Sequence, residues 1–560
     1  MASVTTMDRP GRWDRQFAAE IGDEMTDADV ARLRRLPHLS EIDTSKFPER
    51  VPLDEILKND ARIRRFHPGE IVVREGDYGN SAFLVMNGRL QVVLAPDLPP
   101  EMIGRQQPRQ KSFFAALADL WRNSWVPEVR DTARYERAAL AEASADVSHN
   151  TVLQDVPAIL DRHRTAELGA GALFGELAAL GRVPRTATVF AEEGAECLEI
   201  RWQGLRELRR YDADWRRRID ETYRKNALSA HLSEVEMFAS LDAATLQRVA
   251  DRTLFETYGT FEWHMDYKRL REQSQAGPEQ EPAIAHAGDY PDGLLLVRAG
   301  FARVSVPMGN GYRTLTYLGA GDEYGMSELY RSWSGERVTG LETTLTALGY
   351  VDVLRIPTDV LEEHVFPTLR KAPASRLEGI QERPLSNDSF TEWTVAHRFI
   401  NGTEAMLIDL DRCVRCDDCV RACAAAHGGN PRFVRHGRVF DHWMMANACM
   451  HCADPVCMIG CPTGAIHRDL GTGMVVVNDA TCIGCATCAN ACPYDNIRMV
   501  EIRDLDARPV VDPTTQQPIV KATKCDYCTG LPGGPACVRA CPHDAMERVD
   551  VRDLDFLKES

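Results

Sequence analysis

The sequence predicts a multidomain α+β protein, in which two β-roll domains with helices precede a module organised by cysteines. Two observations support this prediction. Sixteen of the 17 cysteines lie between residues 413 and 541, and the cysteine-poor front half contains two similar stretches. A chain of 560 residues is also too long for a single hydrophobic core. We therefore expect several domains, with a sharp change of composition before the first cysteine run.

The composition excludes several classes of protein. Hydrophobic residues make up 44% of the chain and charged residues 27%, as in ordinary folded domains. The net charge of −17 argues against nucleic-acid binding. No apolar run reaches the roughly 18 residues of a membrane helix, and the first residues lack the apolar segment of a signal peptide. We therefore expect a cytoplasmic protein, with any attachment to the cytoplasmic face of the membrane supplied by a partner.

Four cysteine runs occupy the C-terminal part of the chain. The first and third have the spacing C-x2-C-x2-C-x3-C, the second C-x2-C-x4-C-x3-C and the fourth C-x2-C-x8-C-x3-C. Three closely spaced thiolates can bind three irons of one cubane, while the fourth, expected to open a short helix, serves a neighbouring cluster. The candidate metal ligands are Cys413, Cys416, Cys419, Cys423, Cys449, Cys452, Cys457, Cys461, Cys482, Cys485, Cys488, Cys492, Cys525, Cys528, Cys537 and Cys541.

Two other roles for these cysteines compete with iron–sulfur binding. Disulfides are disfavoured, because a reducing cytosol keeps thiols free and three cysteines at this spacing pair poorly. Zinc prefers two C-x2-C pairs for one tetrahedral site, which leaves the third cysteine and the C-x3-C ending unexplained. Four [4Fe–4S] clusters are the favoured interpretation, and zinc is the alternative. Since no substrate pocket can be recognised, we expect conduction of electrons rather than catalysis.

Residues 403–553 resemble the four-cluster, ferredoxin-like subunits of molybdopterin oxidoreductases such as DMSO reductase, formate dehydrogenase and nitrate reductase. The resemblance includes MLIDLDRC before the first run and IHRDLGTGMVVVNDATC between the second and third. It implies a double bacterial-ferredoxin-like fold, in which the first run pairs with the fourth and the second with the third. The implied ligand sets are Cys413, Cys416, Cys419 and Cys541; Cys525, Cys528, Cys537 and Cys423; Cys449, Cys452, Cys457 and Cys492; and Cys482, Cys485, Cys488 and Cys461.

Three positions in this module need separate comment. Ala424 stands where the other runs have proline, so we expect the helix near Cys423 to differ. The eight-residue interval in the fourth run is short for the family, and it trims a loop that often faces a partner. His451 lies inside the second run, where a role in the loop is favoured over tuning of a cluster.

The front half of the chain contains an internal repeat. REGDYGNSAFLVMNGRLQVV, from Arg74, aligns with AHAGDYPDGLLLVRAGFARVSV, from Ala285. Both stretches alternate with period two between glycine turns, which predicts the short strands of a β-roll followed by helices. Matching glycines lie 95 positions apart in the first copy and 33 in the second, so the first copy contains an insertion near 97–160. We expect this insertion to form a docking surface.

The repeats resemble cyclic-nucleotide-binding domains, and residues 174–189 (FGELAALGRVPRTATV) resemble their phosphate-binding cassette. The chemistry is consistent with that role. Gly175 permits close approach of a ligand, and Glu176 can accept a hydrogen bond from a ribose hydroxyl. Arg185 can donate two hydrogen bonds to a cyclic phosphate. The candidate residues for binding cAMP or cGMP are Gly175, Glu176, Leu177, Ala178, Arg185 and Thr186.

The two copies differ in their cassettes. Thr186 resembles the position that favours guanine in cyclic-GMP kinases. In the second copy Gly325 is followed by Met326 rather than an acid, and Leu341 or Ser334 falls where the arginine belongs. We therefore expect the second copy to bind no nucleotide and to act as a spacer or dimerising surface. Both rolls can also be scaffolds that have lost their ligand.

The predicted function is that of a non-catalytic electron-transfer subunit of an oxidoreductase complex. The expected partners are a flavin- or molybdopterin-type catalytic subunit and an electron carrier or membrane quinone subunit, with a homodimer through the rolls as a further option. The alternative is a signalling protein whose clusters sense redox state or gases. The predicted domains are an N-terminal extension 1–48, the first roll 49–232, the second roll 233–372, a linker 373–402, the cysteine module 403–553 and a tail 554–560.

Overall fold

The structure is a computed structural model. It describes only part of each of several predicted domains. The tail 554–560 and most of the linker and of the insertion near 97–160 lie outside its description, as do residues 1–4 and 7–24 of the extension. The description covers residues 5–6, 25–93, 98, 103, 126–132, 152–153, 156–163, 165–181, 184–224, 228–259, 281–308, 311–369, 393, 397, 399–453, 455–531 and 533–551.

The first roll consists of two four-stranded antiparallel sheets that enclose a shared apolar core. Alternating side chains such as Phe83 and Val85 point into this core, where Cys197 is fully buried, as expected for a small core residue. In order across each sheet, the strands are Ala61–Phe66, Ala195–Arg201, Ser81–Asn87 and Leu173–Phe174, and then Ile71–Val73, Val189–Ala191, Leu90–Val93 and Thr165–Leu168.

The second roll repeats this topology strand for strand. Its core includes Leu295, Val304 and Leu345 at the alternating positions of three strands. The predicted repeat of a β-roll is therefore confirmed. The strands, again in order across each sheet, are Leu254–Tyr258, Val351–Pro357, Gly293–Ala299 and Glu323–Tyr324, and then Ala283–Ala285, Thr344–Ala347, Ala302–Met308 and Gly311–Leu318.

Helices follow the strands of both rolls, as the repeat predicted, and further helices precede them. Local capping defines their starts: Thr26 and Asp29 form a capping box, and the side chain of Asp242 accepts a hydrogen bond from the Thr245 amide. The helices within the described ranges are Asp27–Leu33, Pro37–Ser40, Leu53–Asn59, Val156–Arg162, Glu176–Gly181, Trp202–Tyr211, Ala213–Tyr223, Ser229–Glu234, Ala243–Arg252, Met326–Trp333 and Thr358–His364, with 3-10 turns at Thr44–Lys46, Glu236–Phe238, Phe366–Thr368 and Phe399–Asn401.

The described part of the cysteine module is built from one four-stranded sheet, two antiparallel ladders, four short helices and the strand Val510–Val511, which pairs in parallel with Thr5–Thr6. The sheet joins Glu404–Asp409, before the first run, to Met546–Asp550, after the last run. The expected hairpin between the second and third runs is present as Ile466–Arg468 paired with Val475–Val477. The remaining elements are the sheet strands Val434–Phe440 and Trp443–Asn447, the ladder of Arg498–Glu501 with Val520–Thr523, and the helices Asp418–Ala426, Val456–Ile459, Thr487–Ala491 and Ala536–Arg539.

The four short helices pack in two pairs. The helix of the first run packs against that of the fourth, and the helix of the second run against that of the third. The structure thus brings together the runs that the resemblance paired. The module therefore has two halves, one from the first and fourth runs and one from the second and third.

The chain divides into two compact units. One unit contains residues 1–215 together with 393–560, and the other contains residues 216–392. The strands of the first roll and the cysteine module thus belong to the same unit, although the whole second roll separates them in sequence. Within the described ranges, none of the helices combines the length and the apolar character that are needed to span a bilayer.

Candidate functional site

The second and third runs line two cavities with four cysteines each. One cavity is lined by Cys461 together with Cys482, Cys485 and Cys488. The other is lined by Cys492 together with Cys449, Cys452 and Cys457. Each cavity therefore combines three cysteines of one run with the last cysteine of the other. These are the sets that the resemblance implied, and their binding of clusters stays a prediction.

The first and fourth runs bring their cysteines together in the other half of the module. Cys419, Cys423, Cys525 and Cys537 share one buried cluster of side chains, against which Cys413 and Cys541 pack. His427 lies between two of the predicted ligands: its ring nitrogens are 3.8 Å from Cys423 Sγ and 4.0 Å from Cys528 Sγ. The cysteines of these two runs thus converge as the pairing of the helices requires.

The helices of the runs begin earlier than the sequence suggested. We expected the fourth cysteine of each run to open a short helix, and this prediction is wrong. The third cysteine lies within the helix, whereas Cys461 and Cys541 lie beyond its end and Cys492 caps it. Proline follows each of these three cysteines and cannot continue a helix, since it lacks the amide hydrogen and its ring clashes with the preceding turn.

The first run has no proline after its last cysteine, and its helix shows the effect of that difference. Ala424 replaces the proline, and the helix Asp418–Ala426 continues past Cys423. It ends at His427, whose Nε2 lies 3.0 Å from a carboxylate oxygen of Asp526 in the fourth run. Burial opposes a charge on the imidazole, but the hydrogen bonds with Asp526, Cys423 and Cys528 together outweigh it and raise the pKa of His427 to about 12. The longer helix therefore carries a cation to the pair of Cys423 and Cys528.

The chemistry of the buried thiols fits a metal cluster. Burial raises the pKa of Cys419 and Cys492 to about 11, and that of Cys537 to about 12. Burial raises the pKa of Cys457 as well, and the neighbouring Cys449 adds to the effect. A thiol in such surroundings releases its proton to solvent when a metal cation binds the sulfur in the proton's place. The residues therefore suit a group that carries several positive ions into each site.

Several backbone amides and one lysine donate to the sulfurs. The amides of Arg432 and Ala545 lie 3.3 Å from Cys423 Sγ and Cys541 Sγ, respectively. Lys524 Nζ lies 3.2 Å from Cys449 Sγ. Such hydrogen bonds favour the negative charge of a metal-bound sulfur and raise the reduction potential of a cluster. Lys524 was not singled out from the sequence. Its position next to Cys525 was the signal that could have identified it.

His451 is a buried structural residue of the second run. Its Nδ1 accepts a hydrogen bond from the Val475 amide at 3.1 Å, and its backbone has a φ of +44°. Burial, with the positive charge of Lys524 as the next cause, holds the pKa of the imidazole well below its usual value. The ring is therefore neutral, and it joins the loop of the second run to the hairpin.

The cassette of the first roll is folded around its arginine. The guanidinium of Arg185 donates to the carbonyl oxygens of Gly175 and Ser81, each at 2.7 Å. Gly175 has a φ of +77°, and a side chain there would come within 2.4 Å of the guanidinium. Glu176 is buried at the start of the helix Glu176–Gly181, with Ala178 buried behind it, whereas Thr186 is exposed. The side chain of Leu177 lies outside the described part of the chain.

In the second roll, Leu341 takes the place of Arg185. Gly76 and Asp77 exchange backbone hydrogen bonds with Arg185, and the same two bonds join Gly288 and Asp289 to Leu341. Leucine therefore occupies the arginine position, which decides between Leu341 and Ser334. An apolar side chain offers no donor to a phosphate.

The first roll contacts the segment around Cys461. Arg201 Nη1 donates to the Thr463 carbonyl at 2.8 Å, and Nη2 donates to the Pro462 carbonyl at 3.3 Å. Arg206, one turn into the following helix, donates to the carbonyl oxygen of Ile459. The two arginines therefore bind the main chain on both sides of Cys461.

A second contact links the cassette to the hairpin. Tyr78 donates its amide to the Leu470 carbonyl at 3.1 Å, and Asn80 Nδ2 donates to the Arg468 carbonyl at 3.3 Å. Both residues belong to the loop that carries Gly76 and Asp77, the backbone partners of Arg185. The loop 76–80 therefore touches the cassette arginine on one side and the cysteine module on the other.

The described part of the insertion also docks on the cysteine module. Arg130 Nε lies 2.9 Å from a carboxylate oxygen of Asp479, just before the third run. The Arg130 amide donates to the Arg503 carbonyl at 2.7 Å, and Asn430 Nδ2 donates to the Val129 carbonyl at 3.1 Å. Residues 126–132 of the insertion thus contact the cysteine module of the same polypeptide.

Comparison with known proteins assigns the two kinds of domain. Residues 440–551 match the 4Fe-4S dicluster domain, and residues 160–212 match the cyclic nucleotide-binding domain. The putative electron transport protein YsaA of Escherichia coli K12 is 35% identical over 141 residues, which are 23% of this chain and 80% of YsaA. The chain belongs to this family of iron–sulfur electron-transport proteins. HydN of the same strain is 33% identical over 141 residues, 23% of this chain and 79% of HydN.

Two other matches support the assignment less strongly. A subunit of the anaerobic dimethyl sulfoxide reductase of Haemophilus influenzae is 38% identical over 106 residues, 16% of this chain. The match spans about half the length of that subunit, 51%. The cAMP-bound regulatory domain of Toxoplasma gondii protein kinase A is 16% identical, with a TM-score of 0.20 over 61% of this chain and 94% of that one. The assignment of the rolls rests on their topology and on the domain match rather than on this superposition.

Proposed function

We propose that the cysteine module conducts electrons through four [4Fe–4S] clusters as a subunit of an oxidoreductase complex. The observation that carries the proposal is the pair of cavities in which three cysteines of one run meet the last cysteine of another. Each cavity draws its four sulfurs from two different runs, so one bound group would be ligated by both runs at once, as expected for paired ferredoxin-type clusters.

The protein contributes ligands, shielding and charge to these sites. Each bound cluster would supply a one-electron redox centre. Most of the cysteines are buried, which keeps water from the sulfurs, and backbone amides donate to several of them. Cys416 and Cys485 are the exposed cysteines. We propose that donor and acceptor proteins dock near these two loops, because electron transfer requires close approach to a cluster.

The partners follow from the relatives and from the sequence itself. YsaA and HydN are named as electron transport proteins, and the Haemophilus relative is named as part of a reductase. We therefore propose a flavin- or molybdopterin-type catalytic subunit on one side, and a carrier or a membrane quinone subunit at the cytoplasmic face on the other. The burial of most cysteines favours conduction over sensing of gases, which needs an exposed cluster.

We further propose that the first roll regulates the module when cAMP or cGMP binds to its cassette. The support is the continuous path of contacts from Arg185 through the loop 76–80 to the hairpin, and from Arg206 to the main chain before Cys461. A phosphate on Arg185 would compete with the Gly175 and Ser81 carbonyls for the guanidinium. That competition would move the loop and, with it, the hairpin.

Two measurements on anaerobically purified full-length protein test these proposals. Reduction by dithionite should bleach the visible absorption and produce electron paramagnetic resonance signals of four interacting clusters. Calorimetry should detect binding of cAMP or cGMP, and ligand should change the kinetics of reduction. A colourless protein rich in zinc would contradict conduction. Binding without any effect on reduction would contradict regulation alone.

A further inference from the structure

A lysine side chain lies between two of the cysteine-lined sites. Lys524 directly precedes Cys525 of the fourth run, and its Nζ lies 3.2 Å from Sγ of Cys449 in the second run. The residue is 4% exposed. Since the fourth run belongs to one half of the module and the second run to the other, Lys524 spans the junction between the halves.

The hydrogen-bond acceptors around this lysine match the three donors of a side-chain ammonium. An ammonium has three N–H donors and no acceptor. Three acceptors surround Nζ: the sulfur of Cys449, the carbonyl oxygen of Val475, and the carbonyl oxygen of Cys525 at 3.3 Å. Every donor therefore has an acceptor, whereas a neutral amine would direct its lone pair at one of them. The site is built for a buried positive charge.

The other charged groups nearby have partners of their own. Asp526 binds His427 and Arg432, and Arg548 binds Glu404. Arg468 donates to main-chain carbonyls, including that of Cys452. His427 lies 3.8 Å and 4.0 Å from the sulfurs of Cys423 and Cys528, which belong to the other half, whereas Lys524 contacts a second-run sulfur at 3.2 Å. Its charge therefore acts on the second-run site at the shortest range.

We propose that Lys524 raises the reduction potential of the cluster ligated by Cys449, at the step where electrons pass between the two halves of the module. This inference rests on the proposed four-cluster function. Reduction adds one negative charge to a cluster, and a cation in hydrogen-bond contact with its sulfur stabilises the reduced form. The effect is strong at a buried site, since the low dielectric leaves the charge poorly screened.

The sequence offers a matched control in the same region. Lys521 is 1% exposed, and its Nζ donates to the carbonyl oxygen of Cys482 at 2.5 Å. It thus lies beside the other cavity of the same half, where its Nζ binds a carbonyl of the main chain. Replacement of Lys521 should affect a different cluster, and less strongly.

The experiment is a redox titration of full-length protein, followed by electron paramagnetic resonance and resolved into its component clusters. We expect Lys524→Met to lower the equilibrium constant for reduction of one cluster at least tenfold, which is about 59 mV for a one-electron couple. Lys524→Arg should keep the potential near that of the wild type, because it retains the charge. Lys521→Met should shift another component by less.

The outcomes separate this inference from the proposed function. Wild-type protein without iron would contradict the proposed function itself. Iron-loaded Lys524→Met with unchanged potentials, or a shift of the same component by both lysine variants, would contradict only the inference. If Lys524→Met loses iron, wild-type protein with ¹⁵N-labelled lysine side chains decides: coupling of a lysine nitrogen to one reduced cluster supports the proposal, and its absence overturns it.

Discussion

Replacement of Arg201 with methionine tests whether the first roll and the cysteine module are stabilised as one unit. Arg201 Nε lies 2.8 Å from a carboxylate oxygen of Asp60, and Nη1 donates to the Thr463 carbonyl at 2.8 Å. Asp60 is fully buried. The substitution keeps an unbranched side-chain stem, but it removes both the ion pair and the contact beside Cys461.

The expected loss of stability is large for a single substitution. Removal of one partner from a buried ion pair costs about 3–5 kcal/mol, since it leaves the other charge uncompensated. With a urea dependence of about 2–3 kcal/mol per molar, the midpoint of unfolding should fall by about 1–2 M. Adding Asp60→Asn removes the orphaned charge, so the double variant should be destabilised less than the sum of the single variants, by about 0.5–3 kcal/mol.

The assay is anaerobic unfolding in urea, followed by tryptophan fluorescence and by the visible absorption of the clusters. In the wild type we expect cluster loss to accompany unfolding of the first roll. In Arg201→Met, cluster loss should begin at lower urea. A matched control is Arg303→Met, which breaks the buried ion pair with Glu281 in the second roll. This control should destabilise residues 216–392 and leave cluster loss unchanged.

Two results would refute this reasoning about the shared unit. One is cluster loss in Arg201→Met at the wild-type urea concentration. The other is an equal shift of cluster loss in Arg303→Met, which would mean that any buried ion pair of the protein affects the clusters. Additive effects of the Arg201 and Asp60 substitutions would show, separately, that the two side chains do not interact.

Three further predictions concern the ligands, the cassette and the second roll. Cys492→Ser should lose one cluster and retain three by iron analysis, whereas Cys197→Ser, a buried cysteine outside the runs, should keep all of them. Arg185→Met should weaken cAMP or cGMP binding about 10- to 100-fold by calorimetry, since a hydrogen bond to a charged group contributes about 1.5–3 kcal/mol; Leu341→Ala should have no effect. Burial opposes the charge of Glu256, but the ion pair with Arg355 and the hydrogen bond from Tyr258 together outweigh it and lower the pKa of the carboxyl below 4.5. The ion pair therefore stabilises the second roll above pH 4.5, and this stabilisation is lost as the pH falls through the lowered pKa. The melting temperature of Glu256→Gln should accordingly fall less than that of the wild type as the pH is lowered.

The cysteine runs could be recognised from the sequence because their ligands must lie close together along the polypeptide. The spacing of Cys413 to Cys423 reflects the loop and the single helix that present the sulfurs. The β-rolls could be recognised for a related reason, since glycine turns and period-two alternation are local requirements of short strands. The start of each helix was predicted wrongly, because the proline after Cys461 marks where a helix ends and not where it begins.

The contacts between the first roll and the module could not be predicted. Arg201 and Arg206 donate to main-chain carbonyls of Thr463 and Ile459, and every residue type offers such an acceptor. No sequence pattern therefore marks the receiving side. Lys524 was missed for a different reason: lysine is usually exposed, and only the fold shows that its amine reaches the sulfur of Cys449. The choice between Leu341 and Ser334 likewise required the register of the backbone.

The central claim is that the sixteen cysteines of the runs hold four cubane clusters. The most direct test is Mössbauer spectroscopy of anaerobically purified, ⁵⁷Fe-enriched protein, combined with analysis of iron and acid-labile sulfide. We expect about sixteen irons and about sixteen sulfides per polypeptide, all in four-iron sites. Two- or three-iron signals alone, or stoichiometric zinc in place of iron, would contradict the account.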